Sequence, residues 1–127
     1  MFAGKRPTNL GVSAGKLAPC PETPNCVCSQ SEDSEHQIDP LPYVDIDDLK
    51  KVVNNMERTT IVEANENYLY AEFKSKLMGF VDDVEFHKDE INQVIHVRSA
   101  SRLGQSDLGV NRKRVEAIRQ SLETIEK

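Results

Sequence analysis

The sequence predicts a single α+β domain of order αββββα, in which two helices cover one face of a four-stranded antiparallel sheet and a proline-rich N-terminal arm precedes the first helix. Three observations predict this class. The length of 127 residues suits one compact domain. Four runs of alternating apolar and polar residues lie between two runs with helical spacing. All six prolines precede Tyr43, which excludes long helices and central strands from that part of the chain.

The prolines and cysteines divide the chain into two parts. Residues 1–42 form a proline-rich arm and an acidic loop, which we expect to pack on the domain, and residues 43–127 form the α+β core. Apolar residues of the arm such as Leu10 and Leu17 have no other place to be buried, so we expect the arm to be ordered. The stretch 29–39 is polar, acidic and aperiodic, which is typical of a mobile loop.

Helical spacing of apolar residues predicts one helix at each end of the core. Asp45 is suited to the N-cap of the first helix, and Asp47 and Asp48 suit the positive end of its dipole. The last helix is amphipathic, because Arg, Glu and Lys residues occupy its other face. The apolar positions are Ile46, Leu49, Val53 and Met56 in the first helix and Val115, Ile118, Leu122 and Ile125 in the last.

Alternation of apolar and polar residues with a period of two predicts the strands. Their four segments are residues 60–64, 68–73, 80–87 and 94–99. The first two form a hairpin whose turn is residues 65–67, Asn-Glu-Asn. The sheet face with most of the apolar side chains needs the two helices as its cover.

Side-chain parity sets the register of the last two strands. We expect Phe86 to lie opposite Ile95, so that Phe86 and Val97 face the helices. The same register pairs Asp83 with Arg98 on the other face, where their charges are complementary. That other face is too apolar to be fully hydrated, so we expect the arm or a partner protein to cover part of it.

Net charge and the lengths of the apolar runs each exclude one class of partner. Sixteen Lys and Arg residues stand against twenty-one Asp and Glu residues, a net charge of −5. A general nucleic-acid binder usually carries the opposite sign, because phosphate contacts dominate its affinity, so we expect no nucleic-acid partner. No apolar run approaches the roughly 18 residues of a membrane span. We therefore expect no membrane insertion by this chain and a soluble, cytoplasmic protein.

Cys20, Cys26 and Cys28 lie within nine residues and leave three alternatives open. A disulfide between Cys20 and Cys26 would clamp the arm in an oxidising compartment. A zinc site could combine the cysteines with His36, although C-x5-C-x-C lacks the C-x2-C spacing of zinc knuckles. In a reducing cytosol the three would be small, partly buried thiols. We expect no metal and no cofactor.

Asp82 and Asp83 resemble a pair of catalytic carboxylates but are neighbours on a predicted strand. Their side chains therefore point to opposite faces and cannot share a proton. Asp82 falls on the face that the helices cover, where a carboxylate needs a charged or multiply hydrogen-bonding partner. Arg102, Arg112 or Arg114 could supply one. This predicts a structural ion pair that connects the last helix to the sheet; an active or ligand-binding site is the alternative.

A basic segment follows the predicted sheet. Residues 98–119 hold six of the sixteen basic residues, against Asp107 and Glu116. A loop with glycines leads into the last helix, whose free N–H groups and nearby arginines suit a phosphate or carboxylate. A capped helix start with internally paired arginines is the alternative. The candidate ligand-binding residues are Asp82, Arg98, Ser99, Ser101, Arg102, Ser106, Asn111, Arg112 and Arg114.

Seven segments carry a family resemblance: KRPTNLGV (5–12), LAPCP (17–21), PNCV (24–27), YAEFKS (70–75), GFVDDVEF (79–86), IHVRSASR (95–102) and SDLGVNRKRVE (106–116). In this order they resemble the domain of unknown function 1499 family over nearly the whole chain. The resemblance implies no catalytic residues, since that family has no assigned function. Many members carry a leader or membrane anchor before the first segment, which implies a periplasmic or lumenal location as the alternative to the cytoplasm. Cys28 stands where such sequences often have serine.

These observations favour a non-enzymatic binding or protein-interaction module that recognises an anionic small molecule or a partner protein. The alternative is a small enzyme with a polar site around Asp82, Arg98, Ser99, Ser101 and Arg102. The chain has no G-x-S-x-G motif and its histidines form no constellation, so catalytic residues stay unassigned.

Overall fold

The computed structural model describes residues 4–76, 79–103 and 109–126. Two helices and an antiparallel sheet form an α+β domain, as the sequence predicts. In chain order the elements are β1 (Cys26–Cys28), α1 (Ile46–Asn54), β2 (Thr59–Ala64), β3 (Tyr68–Lys74), β4 (Val81–Asp89), β5 (Val94–Ser101) and α2 (Val110–Glu126).

The sheet has five strands in the order β1-β5-β4-β3-β2, so the predicted four-stranded sheet and the predicted order αββββα are wrong. The additional strand, β1, lies in the arm before the first helix and pairs Cys28 with Arg98 of β5. A strand of three residues is too short to show alternation, which is why the pattern did not predict it. The boundary between residues 42 and 43 stays a prediction.

The pairing of β4 with β5 differs from the predicted register by two residues. Phe86 lies opposite Val97 instead of Ile95, and Glu85 lies opposite Arg98. A shift of two residues preserves parity. Phe86 and Val97 are therefore buried in the core with the helices, as predicted, while Arg98 lies on the other face of the sheet.

The turn between β4 and β5 explains this register. The carboxylate of Asp89 accepts hydrogen bonds from the backbone N–H groups of Ile91 and Asn92. Gln93 adopts a left-handed φ of 56° and leads into β5. Because Asp89 pairs with Val94, residues 90–93 all belong to the loop. The predicted register leaves only residues 90 and 91 for this turn.

The helices and the inner face of the sheet enclose the main core. Its fully buried side chains include Leu49 and Val53 of α1, Val115, Ile118 and Leu122 of α2, and Leu69, Ala71, Val84, Phe86, Ile95 and Val97 of the sheet. Each of these side chains apart from Ala71 contributes about 1.5–3 kcal/mol on burial. In β2 a bulge between Ile61 and Glu63 breaks the predicted alternation, since Ile61 packs on the core and Val62 is 37% exposed.

The face of the sheet away from the helices, called the outer face from here on, carries Tyr68, Tyr70, Asp83, Glu85 and Arg98. The arm covers it. Leu17, which is 4% exposed, and Leu10 pack against Tyr68 and Tyr70. Gly11, with a left-handed φ of 99°, donates its backbone N–H to the carboxylate of Glu85 at 2.7 Å. The arm therefore excludes water from the aromatic part of the outer face.

A disulfide joins Cys20 to Cys26, which is the first of the three alternatives for the cysteines. It closes the loop 21–25 immediately before β1, and such a closed loop lowers the conformational entropy of the unfolded chain. Cys28 is buried and free. Because the sulfur atoms of Cys20 and Cys26 are bonded to each other, they do not act as the thiolate ligands that a zinc site needs.

The acidic loop 29–39 is anchored through His36, which is 5% exposed. Its ring nitrogens face two acceptors, the carbonyl of Thr23 and the carboxylate of Asp33. Its backbone carbonyl accepts a hydrogen bond from the N–H of Cys28 in β1. Both ring nitrogens donate only when the imidazole is protonated. The Thr23 carbonyl, followed by Asp33, therefore raises the pKa of His36.

Truncation of Leu17 tests the cover of the outer face. We expect Leu17→Ala to lower the free energy of unfolding by about 2–3 kcal/mol, because it leaves a cavity against Tyr68 and Tyr70. Val12→Ala in the same segment, at a side chain that is 39% exposed, is the control. It should stay within about 0.5 kcal/mol of wild type. Urea denaturation measures both changes, and equal small losses would contradict packing of the arm.

The contact between Asp33 and His36 should stabilise the fold most at mildly acidic pH. A histidine pKa that folding raises contributes stability that is complete below its ordinary value of 6.5 and is lost as the pH rises through the folded value. The His36 hydrogen bond lowers the pKa of Asp33, so its contribution is lost only as the pH falls below 3.8. The difference in unfolding free energy between wild type and Asp33→Asn should shrink as the pH rises from about 6 to about 9.

An NMR titration of the His36 ring provides the direct measurement. A midpoint at or below 6.5, or a difference between wild type and Asp33→Asn that does not vary with pH, would contradict this assignment.

Candidate functional site

The structure separates the predicted site residues into three groups. Arg98 and Arg102 contact carboxylates of the outer face, and Arg112 contacts backbone carbonyls of the acidic loop. Ser106 lies outside the described residues. The remaining residues lie between the sheet and α2 and are called the inner cluster: Asp82, Ser99, Ser101, Asn111 and Arg114. Because the sheet separates the inner cluster from the outer face, the predicted residues do not form one site.

Hydrogen bonds connect the members of the inner cluster. Arg114 Nη2 lies 2.8 Å from Asp82 Oδ2. Asn111 Oδ1 accepts hydrogen bonds from Ser99 Oγ at 2.6 Å and from Arg114 Nη1 at 2.9 Å. Asn111 Nδ2 donates to Ser101 Oγ at 3.0 Å. Asp82, Ser99 and Asn111 are all buried, so solvent has little access to these groups.

The inner cluster connects α2 to the neighbouring strands β4 and β5. A buried carboxylate needs a charged partner, and Arg114, one of the three arginines predicted for it, pairs with Asp82. The guanidinium of Arg114 also lies 4.8 Å from the centre of the Phe73 ring, a cation–π contact. These contacts orient the start of α2 over the sheet, which is the role expected of a structural ion pair.

The outer face carries a second charge network around Asp83. Arg102 donates to both of its oxygens, from Nε to Oδ2 and from Nη2 to Oδ1, each at 2.9 Å. The predicted pairing of Asp83 with Arg98 is wrong, because the two-residue shift in register places Arg98 opposite Glu85. Tyr70 donates its hydroxyl to Asp83. Burial, together with this hydrogen bond, raises the pKa of Tyr70.

Glu72 extends this network to the arm. It accepts a hydrogen bond from Arg102 and lies 2.7 Å from Arg6 Nη2. Burial raises the pKa of Glu72, but the hydrogen bonds from Arg6 and Arg102 outweigh burial and hold the pKa below its ordinary value. The carboxylate therefore stays ionised and ties the first part of the arm to β3.

Glu85 and Arg98 form a third charged pair on the outer face, and several of their polar atoms lack a close hydrogen-bond partner. Glu85 is fully buried; its Oε2 accepts hydrogen bonds from Tyr68 at 2.6 Å and from Gly11 at 2.7 Å. Its Oε1 has no hydrogen-bond partner among the described residues, and Arg98 Nη1 lies 3.9 Å away from it. Arg98 is 5% exposed, its Nε lacks a partner within the described part of the chain, and its Nη2 reaches only the Pro19 carbonyl at 3.4 Å.

A cavity of about 610 Å³ lies between the arm, β1 and the start of the acidic loop, and two of its lining residues, Gly11 and Pro19, bond to Glu85 and Arg98. We call it the arm cavity. Its apolar lining comes from Leu10, Val12, Leu17, Ala18, Pro19 and Cys28. Among the described residues that line it, Lys16 carries the only charge. Gln30 holds the arm at the wall of the cavity. Its side chain accepts a hydrogen bond from the N–H of Leu17 at 3.0 Å and donates one to the carbonyl of Gly15 at 3.2 Å.

Cys28 contributes a wall to this cavity rather than a reactive group. Burial raises the pKa of its thiol, although the charge of Arg98 acts in the opposite direction. A thiol that stays protonated is a weak nucleophile and behaves as a small apolar side chain.

Neither the buried Glu85 nor the arm cavity was predicted from the sequence. Parity was the available signal for Glu85, because the acid shares a face with Tyr68 and Tyr70 and that face was expected to be covered. A carboxylate on a covered face needs a partner, just as Asp82 does. No comparable signal existed for the arm cavity, whose walls come from a segment without periodicity.

No helix of residues 4–76, 79–103 and 109–126 is long and apolar enough to cross a bilayer. In the same ranges no three His, Cys, Asp or Glu side chains form a group that could hold a metal ion.

The fold defines the class of protein. It is a small α+β domain whose helices cover one face of a five-stranded sheet and whose N-terminal arm covers the other face. The model of the family described as protein of unknown function (DUF1499) matches residues 16–122, and the chain belongs to this family. A search of the curated proteins and a search of the solved structures found no match.

A double-mutant cycle tests whether Asp82 and Arg114 act as one structural unit. We expect Asp82→Asn and Arg114→Gln each to lower the free energy of unfolding by about 3 kcal/mol, because each leaves a buried partner unpaired. The double variant should lose at least about 1 kcal/mol less than the sum. Chemical denaturation measures all three variants.

Arg112→Gln provides the control for this cycle. Arg112 is two positions away on α2, but it is exposed and bonds only to the carbonyls of Glu35 and Gln37 among the described residues. It should lose less than about 1 kcal/mol. Additive effects of Asp82→Asn and Arg114→Gln would contradict the structural pair.

Proposed function

We propose that the chain is a non-enzymatic binding module whose ligand is a small molecule held in the arm cavity. The observation that carries this proposal is the cavity itself. Its volume of about 610 Å³ lies within the range of roughly 300–1,000 Å³ that is usual for small-molecule sites. An apolar lining with a few polar groups, here Lys16, Gln30 and Ser31, is also typical of such sites.

The proposed site differs from the anion site that the sequence predicts at the start of α2. The arginines there already have protein partners: Arg114 with Asp82, and Arg112 with two backbone carbonyls. An anion would have to displace these contacts to bind there. The apolar body of a ligand can enter the arm cavity without breaking an ion pair, so we favour this cavity as the site.

An enzymatic function has less support. Asp82 and Ser99, two residues of the polar site considered for an enzyme, are buried and bonded to Arg114 and Asn111. Arg98 and Arg102, which were predicted to belong to the same polar site, lie on the opposite face of the sheet. Groups on two faces of one sheet do not converge on a single substrate.

Filling the arm cavity tests the proposal, with octanol as an uncharged apolar probe. Ala18 lines the cavity, so Ala18→Phe should remove the space that octanol occupies. Octanol at ten times its Kd should stabilise wild type by about 1.4 kcal/mol. We expect a higher Tm with octanol in wild type and no change in Ala18→Phe, measured by calorimetry.

Ala117→Phe is the matched control, because it makes the same substitution at an exposed position of α2. Its response to octanol should equal that of wild type. The same response in all three proteins, or in none of them, would contradict a ligand site in the arm cavity.

A further inference from the structure

We infer that the ligand of the arm cavity carries a carboxylate, which binds to the edge of Arg98 formed by Nε and Nη2, while its apolar body fills the cavity. This inference rests on the proposed function and names the chemical class of the ligand.

The unused hydrogen-bonding capacity of Arg98 is the first reason. Its Nη1 faces Glu85 at 3.9 Å, and its Nη2 reaches the Pro19 carbonyl only at 3.4 Å. Its Nε has no partner within the described residues, and only 6% of the side chain is exposed to solvent. A buried donor without an acceptor is unfavourable, and a guanidinium gains most from charged acceptors. An anionic oxygen at this edge would satisfy it.

The position of Arg98 beside the cavity is the second reason. Cys28 and Pro19 both line the cavity; Cys28 is the β1 residue that pairs with Arg98, and Pro19 holds the Arg98 side chain through its carbonyl. Gly11, another lining residue, bonds to Glu85. Arg98 does not itself line the cavity, so we infer that the carboxylate displaces the Pro19 carbonyl, 3.4 Å from Nη2, to reach the Nε and Nη2 edge.

The shape and charge of this site favour a carboxylate. Nε–H and Nη2–H point the same way from a planar guanidinium and match the two oxygens of a carboxylate. Lys16 adds a positive charge at the cavity wall, which disfavours a cationic head group. Because Glu85 already balances the charge of Arg98, Lys16 is the positive charge that balances a carboxylate, whereas a phosphate monoester would bring nearly two negative charges close to the buried Glu85.

Three probes with the same alkyl chain separate the head group from the body: octanoate, octanol and octylamine. Titration calorimetry of the full chain at pH 7 and fixed ionic strength should rank octanoate first and octylamine last. A charge-assisted contact predicts that octanoate binds about tenfold more tightly than octanol. Arg98→Lys keeps the charge but removes the two-donor edge, so octanoate should lose most of this advantage while octanol affinity stays unchanged.

Arg58→Lys is the matched control, since Arg58 is exposed and pairs only with Glu57 among the described carboxylates. It should bind all three probes as wild type does. A second measurement in the wild-type protein needs no variant: the carboxyl carbon resonance of bound octanoate should titrate at a lower pH than that of the free acid, because Arg98 stabilises the ionised form.

The outcomes distinguish this inference from the proposed function. If wild type binds octanoate and octanol with equal affinity and Ala18→Phe binds neither, the carboxylate inference is wrong and the cavity is still supported as the ligand site. Octanoate that binds Ala18→Phe as tightly as wild type would overturn both. An unchanged advantage for octanoate in Arg98→Lys, or an unshifted titration of its carboxyl group, would overturn the role of Arg98.

Discussion

The register between β4 and β5 is the constraint on which the rest of the structure depends. It places Phe86 opposite Val97 within the core, and on the other face it places Glu85 opposite Arg98. A slip of one residue would exchange the two faces and bury charges among apolar side chains. The carboxylate of Asp89 holds this register at the turn through two backbone hydrogen bonds. The positions of both the arm and α2 follow from it.

Strand β4 presents buried carboxylates on both faces, and each is paired with an arginine from β5, α2 or the segment that follows β5. Asp82 meets Arg114 of α2, while Asp83 meets Arg102 just beyond β5. Such pairs contribute little net stability compared with apolar contacts, because removing charges from water is unfavourable. They do strongly destabilise other placements of α2 or of the segment after β5 on the sheet, since a misplaced element leaves a charge unpaired in the interior. Burial of the apolar core thus drives folding, and the arginine pairs determine where α2 sits on the sheet.

The sequence predicted the elements whose patterns are long and missed those whose patterns are short. Four strands and both helices extend over enough residues for alternation or helical spacing to be read, whereas β1 has three residues between prolines and cysteines. Parity assigned the correct face to Phe86, Val97 and Arg98 even though their partners were shifted by two residues. Parity applied to Ser99 and Arg98 would also have separated the predicted site, because neighbours on a strand face opposite sides. The arm cavity could not be predicted, since its walls depend on how an aperiodic segment folds back on the sheet.

The two edge strands of the sheet, β1 and β2, affect whether the protein aggregates at high concentration. A strand with unpaired backbone groups at a sheet edge can recruit a strand from a neighbouring molecule and start aggregation. At one edge β1 offers only three residues, and the disulfide to Cys20 holds the chain beside it. At the other edge the bulge between Ile61 and Glu63 interrupts the regular spacing of donors and acceptors in β2. Neither edge gives a second molecule a long flat template, so the same backbone irregularities that obscure the sequence pattern oppose edge-to-edge growth into fibres.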